Sequence, residues 1–295
     1  MARLQLVLAA LLFSTGGVAI KLTSLSGWQA AGLRAGVAAV AMLLVLPAAR
    51  RGWSRRTFVV AIPYAATFIL YSLANKETTA ANAIFLQDTA PLYLLLLGPL
   101  WLRERLQRSD LVLALALVAG AALLFAAAPV AFGTAPRPAL GNALALAAGF
   151  TWALSLLGLR WISVRGAQSG EEPLAVIVAG CVLALVASAV AVWPGTLLPG
   201  EERTAVNLLA VLYLGVCQIG LAYVFLTRGV RHVTALEASL LLLTEPVFTP
   251  ILAWLVLGES LSAFALAGGG VVIGAVAANA WWRSVSSAAS PTGIA

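Results

Sequence analysis

The sequence predicts an all-α integral membrane protein in which ten transmembrane helices form two inverted five-helix repeats. Its 295 residues are 62% hydrophobic and 10% charged, whereas soluble domains carry about 25% charged residues. The mean hydropathy is correspondingly high, at +0.99. Two further observations give the arrangement: a motif that recurs at a constant offset of 155 positions, and an uneven distribution of basic residues between the apolar runs.

Ten apolar runs are each long enough to cross a membrane, which takes a helix of about 20 predominantly apolar residues. Glycine, proline, serine and charged residues separate the runs, as is typical of connecting turns. In chain order the main breaks read SLSG, ARRGWSRR, NKET, RERLQRSD, PVAFGTAPRP, SVRGAQSGEEP and PGTLLPGEER. The predicted spans are 4–21, 27–47, 57–75, 80–102, 110–128, 139–160, 173–194, 205–227, 235–257 and 261–282.

The orientation of the spans follows from Lys and Arg, which are enriched in cytoplasmic segments. With the N-terminus inside, thirteen basic residues fall on the cytoplasmic side, four on the outer side, and Arg34 within a span. The outer four are Lys21, Lys76, Arg137 and Arg203. The count predicts that both termini are cytoplasmic. The run after Arg3 has no clear small-residue cleavage site, so we expect it to be retained as the first helix.

A motif that occurs twice divides the chain into halves. Pro91 is followed thirteen positions later by Glu104, and Pro246 thirteen positions later by Glu259. Basic residues follow the first copy but not the second, as expected if the copies face opposite sides of the membrane. The predicted domains are a first five-helix repeat at 1–128, a periplasmic connector at 129–138, a second five-helix repeat at 139–283 and a disordered cytoplasmic tail at 284–295.

Motif content argues against catalysis, metal binding and nucleic-acid binding. The basic residues lie singly or in short clusters and form no continuous basic face. Cys181 and Cys217 lie in apolar runs, and the single histidine, His232, has no cluster of possible metal ligands around it. HExxH, GxSxG and Walker lysine motifs are missing from the sequence. We therefore expect no enzyme activity, no cofactor, no metal and no nucleic-acid partner.

The two halves resemble EamA-type members of the drug/metabolite transporter superfamily. The matching residues are Pro91 to Glu104 with Leu111–Leu124, and Pro246 to Gly258 and Glu259 with Gly268, Gly269, Gly270 and Gly274. Lys21 and Arg34 also match the usual positions of that family, whereas Arg103 stands where the second copy has Gly258. Within the family the chain most resembles the aromatic amino-acid exporters. The resemblance implies a multi-pass protein of the bacterial inner membrane.

Inverted repeats are typical of secondary transporters, which bind their substrate near the bilayer midplane between the repeats. We therefore expect export of small organic metabolites, with amino acids as the substrate class that the resemblance suggests and aromatic or hydrophobic ones plausible, by alternating access around a central cavity. Protons are the candidate coupling ion, and a monomer or weak dimer in the lipid bilayer is expected. The alternatives are export or import of other metabolites or drugs, and a channel-like or structural membrane protein.

Charged residues within the spans are the first candidates for the substrate site, because charge at the bilayer centre is costly. Asp88 and Glu245 lie on corresponding helices of the two halves and are predicted to meet in the cavity, where they bind an ammonium or titrate. A structural ion pair with Arg34 or the capping of a broken helix are the alternatives. Arg34 itself is predicted to be a structural charge, paired with a carboxylate or a carbonyl.

Prolines within the fourth and ninth spans are predicted to bend them. Proline has no backbone N–H, so Pro91 leaves the carbonyl of Gln87 without its helical hydrogen bond. Pro246 does the same to the carbonyl of Leu242, and Pro250 to that of Pro246. Free carbonyls at membrane depth occur where protein or a water-lined cavity satisfies them. The three prolines are therefore predicted hinges, with packing kinks as the alternative, and the Gln87 side chain is a predicted cavity residue.

Polar side chains inside other spans complete the predicted cavity. They are Ser14, Tyr71, Trp152 and Gln218, each of which otherwise packs between helices. Two glycine pairs with GxxxG spacing, Gly32 with Gly36 and Gly270 with Gly274, predict close contacts between helices of this chain.

Overall fold

The all-α prediction is confirmed in the part of the chain that the structure describes. This computed structural model describes residues 2–90, 92–94, 97, 108–126, 133–169, 173–198, 204–229, 241–242, 244–260 and 262–288. Within these ranges every regular element is a helix and none is a strand. Pro91 and Glu104, two residues of the first copy of the repeated motif, lie outside them.

Twelve helices are described. In chain order they are α1 (Ala2–Ser14), α2 (Gly16–Leu22), α3 (Gly27–Val45), α4 (Arg55–Glu77), α5 (Ala80–Gln87), α6 (Arg108–Ala126), α7 (Pro138–Ser169), α8 (Pro173–Ala191), α9 (Thr204–Leu212), α10 (Ala222–Gly229), α11 (Thr244–Leu257) and α12 (Ala263–Ala288). A π-helical segment, Tyr213–Leu221, joins α9 to α10, and a short 3₁₀ turn, Pro47–Arg50, follows α3.

Six helical stretches in the described ranges are long and apolar enough to cross a membrane, fewer than the ten that hydropathy alone predicts. They are Ala2–Leu22, Gly27–Val45, Arg55–Glu77, Pro138–Leu159, Pro173–Ala191 and Thr204–Leu226. Shorter apolar helices cover Val112–Leu124, Thr244–Leu257 and Ala263–Asn279. Of the predicted span 80–102, only α5 is a described helix of its own. The apolar helices agree with a multi-pass membrane protein.

Local side-chain chemistry determines where several helices begin. Ser26 accepts a hydrogen bond from the Gln29 backbone N–H, and the Gln29 side chain accepts one from the Ser26 backbone, which forms a capping box before α3. Ser54 and Thr57 form the same arrangement before α4. Because a capping box satisfies backbone donors that the helix leaves free, it fixes the start of each helix.

The first predicted span, 4–21, corresponds to the apolar stretch Ala2–Leu22. It is interrupted at Thr15, which separates α1 from α2. The Thr15 hydroxyl bonds to the Leu12 carbonyl at 2.6 Å and to the Tyr213 hydroxyl at 2.8 Å. A hydroxyl that bonds to nearby backbone competes with the regular helix, and Gly16 and Gly17 follow directly. The Thr-Gly-Gly sequence could have indicated this break, but hydropathy averaged over a whole span does not resolve it.

Two later helices, α7 and α12, extend beyond the C-terminal ends of their predicted spans. The sixth predicted span ends at 160, whereas α7 continues to Ser169. Helix α12 continues to Ala288, inside the segment 284–295 that is predicted to be a disordered tail. The polar and basic residues that follow these spans continue the helix. Many of them have a high helix propensity although their hydropathy is low.

Close packing joins helices from distant parts of the sequence. Helix α4 packs on α7 and α8, α3 on α8, and α6 on α12. Gly32 and Gly36 confirm the predicted close contact, because a Cβ at either would lie within 3.2 Å of Ser188 or Leu185 on α8. Gly270 and Gly274 make no such contact with the described residues, none of which lies within 4 Å of a Cβ at either position.

Candidate functional site

A cavity of about 310 Å³ lies between the helices, within the range of about 300–1,000 Å³ that is usual for small-molecule sites. Its walls come from both predicted halves of the chain. The lining residues are Phe13, Arg34, Tyr64, Thr67, Phe68, Tyr71, Gln87, Asp88, Ala90, Leu94, Trp152, Leu156, Gln218, Ile219, Tyr223, Leu226, Leu242, Glu245, Pro246, Val272, Ile273 and Val276. Apolar and aromatic side chains predominate, with a few polar groups among them.

Most of the cavity residues predicted from the sequence lie in this lining. They are Tyr71, Gln87, Asp88, Trp152, Gln218 and Glu245, together with Pro246. Ser14 is a correction, because it is fully buried, does not line the cavity, and donates its hydroxyl to the Leu11 carbonyl at 2.8 Å. Pro250 is buried within α11 and is not a lining residue either. Pro91 lies outside the described residues.

Helix α4 supplies an aromatic wall. Tyr64, Phe68 and Tyr71 are spaced at i, i+4 and i+7, so they share one face of the helix. The Tyr64 ring contacts Phe68, Trp152 and Tyr223 at centroid distances of 5.1, 6.0 and 5.9 Å. Such edge and tilted contacts are the preferred geometry of aromatic pairs. The wall is therefore rigid and apolar, and it links α4 to α7 and α10.

Arg34 places a cation in the cavity lining although the sequence predicts only a structural charge. Its side chain projects from α3, and the residue is 2% exposed. Nη1 donates to the Gln218 side-chain oxygen at 3.4 Å, and Nη2 donates to the Phe68 carbonyl at 3.2 Å. The guanidinium also lies over the rings of Phe68 and Tyr71, at 5.2 and 5.8 Å from their centroids. Arg34 is thus held by neutral partners.

The carboxylates of Asp88 and Glu245 line the same cavity from different helices. Asp88 caps the C-terminus of α5, where its backbone N–H bonds to Ile84 and Leu86. Glu245 lies in the first turn of α11 as the structure describes it. The predicted meeting of the two carboxylates in one cavity therefore agrees with their positions. Acid clusters that could hold a metal ion are not found among the described residues.

The chain turns at Asp88 and Thr89, before the predicted proline hinge. The Thr89 hydroxyl donates to the Leu86 carbonyl at 2.6 Å, which stabilises the turn. Gly149 on α7 lies against this backbone, because a Cβ there would be 2.8 Å from the Gln87 carbonyl oxygen. The Gln87 carbonyl, which has no helical donor because residue 91 is proline, thus packs against a neighbouring helix. Gln87 is also one of the residues that line the cavity.

Five buried polar atoms of the cavity-lining residues have no hydrogen-bond partner in the described protein. They are Arg34 Nε, the hydroxyls of Tyr64 and Tyr71, Gln87 Oε1 and Asp88 Oδ2. Buried polar groups are usually hydrogen-bonded, and an unmade bond costs about 1–3 kcal/mol. The described lining therefore contains both donors and acceptors that are unpaired.

Two features of the site escaped sequence reasoning. The first is the aromatic wall, which the i, i+4, i+7 spacing of α4 could have revealed. The second is the π-helical segment, which contains Gln218, the side-chain partner of Arg34. Gly215 within it packs so closely on α3 that a Cβ would lie 2.9 Å from the Arg34 carbonyl oxygen. Single π turns are often found at functional sites, but residue identities give no reliable signal for them.

Charged side chains cluster at one end of the helices. Lys21 Nζ lies 2.9 Å from Glu259 Oε1 and also donates to the Thr134 carbonyl. Lys76 Nζ donates to the Thr23 carbonyl at 2.7 Å. Beside them, Arg137 pairs with the Glu77 carboxylate. The pKa of Arg137 is raised by its hydrogen bond to Glu77 and by the negative charge there. Three of the basic residues predicted to be outside therefore lie at the same end.

Comparison with known proteins gives the family. The model of the EamA-like transporter family matches residues 1–126 and again residues 139–281. An uncharacterized transporter of Methanothermobacter thermautotrophicus is 27% identical over 196 residues, which cover 66% of this chain and 54% of that protein. The chain therefore spans about half the length of this relative.

A solved crystal structure shows the same fold. It superposes with a TM-score of 0.64 at 21% identity and covers 96% of this chain and 98% of its own. At this identity the likeness concerns the fold alone. The family match covers most of the chain in two segments. The chain belongs to the EamA-like transporter family.

Proposed function

We propose that this chain is a secondary transporter that exports small organic metabolites, above all amino acids with aromatic or hydrophobic side chains. The observation that carries the proposal is the cavity of about 310 Å³, which combines an aromatic wall with both signs of charge. Arg34 supplies the cation, and Asp88 and Glu245 supply the carboxylates. A small molecule with an apolar body and charged groups fits this chemistry better than a simple ion or a wholly apolar compound does.

The transport mechanism that we propose is alternating access between two inverted five-helix repeats. The separate family matches at 1–126 and 139–281 support two repeats. Residues from both segments line the cavity, so a rocking motion of one repeat against the other would open it to one side and then the other. The Lys21–Glu259 pair connects the segments at one end and would have to separate when that end opens.

The orientation completes the proposal. The excess of basic residues on one side supports an orientation with both termini in the cytoplasm of a bacterial cell. In this orientation Lys21, Lys76 and Arg137 lie at the outer end, and the ion pair between Lys21 and Glu259 connects the two segments there. Release of this pair would then accompany opening toward the outside.

Counterflow in proteoliposomes tests this function. Purified protein is reconstituted into vesicles loaded with one unlabelled amino acid, and uptake of the same labelled amino acid is measured for aromatic, aliphatic and charged members. We expect the aromatic and large aliphatic amino acids to exchange and the charged ones not to. Empty vesicles provide the background. If no amino acid exchanges while the protein is folded and correctly inserted, the proposed substrate class is wrong.

A further inference from the structure

We propose that Arg34 is the residue that recognises the substrate's carboxylate, so that the cavity selects zwitterions over amines of the same shape. The inference rests on the proposed function, since it concerns the substrate of the same cavity. Sequence position alone predicts a structural charge at Arg34. The contacts of its side chain in the cavity give it a different role.

The first argument is the missing counter-ion. Arg34 is 2% exposed, yet no carboxylate of the described part of the chain forms an ion pair with it. A buried charge is costly unless an opposite charge or hydrogen bonds compensate it. The partners present, the Gln218 side chain and the Phe68 carbonyl, are neutral. An anionic group that enters the cavity therefore gives Arg34 a counter-ion that the described part of the chain does not provide.

The second argument is the number of free donors. A guanidinium has five N–H donors in a planar fork. The hydrogen bonds to Gln218 and Phe68 use Nη1 and Nη2, at the rather long distances of 3.4 and 3.2 Å, and Nε is unpartnered. The edge that carries Nε can therefore bind a carboxylate with two parallel hydrogen bonds, which is the geometry that arginine favours.

The third argument is that the guanidinium is already held in place. The rings of Phe68 and Tyr71 lie against it, and Gln218 holds one of its ends. A cation–π contact uses the face of the guanidinium and leaves its edge free for hydrogen bonds. Because the group is fixed before the ligand arrives, little side-chain entropy is lost on binding.

The remaining charges of the cavity complete the recognition. Asp88 and Glu245 repel a carboxylate and attract an ammonium, and Asp88 Oδ2 has no partner in the described protein. A zwitterion therefore satisfies Arg34 with one end and an acidic residue with the other, while its side chain packs on the aromatic wall. An amine without a carboxylate leaves Arg34 unpaired.

Competition in the counterflow assay tests the role of Arg34, with labelled phenylalanine as the probe. The competitors are phenylalanine, phenylalaninamide and 2-phenylethylamine. In the wild type we expect both amines to compete about tenfold or more weakly than phenylalanine, as the loss of one charged hydrogen bond predicts. In Arg34→Gln we expect phenylalanine to weaken by a similar factor and the amines to change little, so that the discrimination disappears.

Two further variants keep the test decisive. Gln218→Glu has nearly the same shape and places a carboxylate beside Arg34, so it should weaken phenylalanine and leave the amines unchanged even if Arg34→Gln does not fold. Arg137→Gln removes an exposed arginine at the end of the molecule and serves as the matched control with wild-type discrimination.

The outcomes separate the two proposals. If Arg34→Gln and Gln218→Glu exchange phenylalanine and still discriminate against the amines as the wild type does, the role of Arg34 is overturned. The proposed function then remains intact. Failure of the folded wild type to exchange any amino acid overturns both. Loss of discrimination in either variant, with Arg137→Gln unchanged, supports the role of Arg34.

Discussion

Lys21 and Glu259 form an ion pair of 2.9 Å in which each side chain is only 2% exposed. The second carboxylate oxygen, Glu259 Oε2, accepts a hydrogen bond from the Ala80 backbone N–H at 2.9 Å, so it lies at the N-terminus of α5. Negative charge is favourable there, because the helix dipole is positive at this end. One carboxylate thereby connects α2, α5 and the turn that follows α11.

Removal of one partner of this pair should destabilise the protein more than removal of both. In Glu259→Gln the Lys21 charge stays buried without a counter-ion, which costs about 3–5 kcal/mol. In the double variant Lys21→Gln, Glu259→Gln no charge is left, and the loss should be smaller. Denaturation of the purified protein in detergent measures the free energies of unfolding. Equal losses in the single and double variants would contradict the interpretation.

The carboxylates Asp88 and Glu245 should control the coupling of transport to protons. Both line the cavity, and Asp88→Asn and Glu245→Gln remove their charge with little change in shape. We expect at least one of these variants to lose the pH dependence of amino-acid exchange in proteoliposomes, because a group that must gain or lose a proton is then absent. If both variants transport at wild-type rates with unchanged pH dependence, neither carboxylate couples protons or is required for binding.

Gly158 should be intolerant of even a methyl group. A Cβ at this position would lie 2.4 Å from Val60 Cγ1, so α7 would have to move away from α4. Overpacking of this kind costs about 1–3 kcal/mol. We expect Gly158→Ala to lower the free energy of unfolding and Val60→Ala to restore part of the loss.

The matched control for that substitution is Gly270→Ala. Within the described part of the chain no atom lies within 4 Å of a Cβ there, and alanine is the better helix former. This variant should be as stable as the wild type or slightly more so. Similar losses at Gly158 and Gly270 would show that contact with Val60 is not the cause.

The hydrogen bond of 2.8 Å between the hydroxyls of Thr15 and Tyr213 should stabilise the break in the first span. A double-mutant cycle with Thr15→Val and Tyr213→Phe isolates it, because each substitution removes one hydroxyl with little change in shape. We expect a coupling energy of about 0.5–1.5 kcal/mol in detergent denaturation. A coupling energy near zero would show that the glycines after Thr15 are sufficient for the break.

Sequence patterns predicted the helical class and most apolar helices, because hydropathy depends on composition over about 20 residues. They also singled out some residues that line the cavity: a polar group inside a span is expensive, so Asp88, Gln218 and Glu245 could be identified individually. The same reasoning does not hold for Ser14, because its hydroxyl donates a hydrogen bond to the Leu11 carbonyl within its own helix. A hydroxyl can be satisfied locally, whereas a charge cannot.

The features that the sequence did not predict depend on contacts between distant residues. The break at Thr15 uses Tyr213, and the position of Arg34 depends on Gln218 and on the Phe68 carbonyl. The same holds for the glycines, since among the described residues Gly36 meets a neighbouring helix and Gly270 does not, although both occur in GxxxG pairs. Spacing along one helix cannot specify which face a second helix covers.

The π-helical segment Tyr213–Leu221 also affects how relatives can be compared with this chain. Its hydrogen bonds run from i to i+5 instead of i to i+4, so it holds more residues in each turn than an α-helix does. The side chains of α10, which follows this segment, are consequently rotated about the helix axis away from the direction that an α-helical count gives. Tyr223, which meets the Tyr64 ring, lies in that helix. We expect a relative without the π segment to present a different face of this helix to the aromatic wall, even where the aligned sequences are identical.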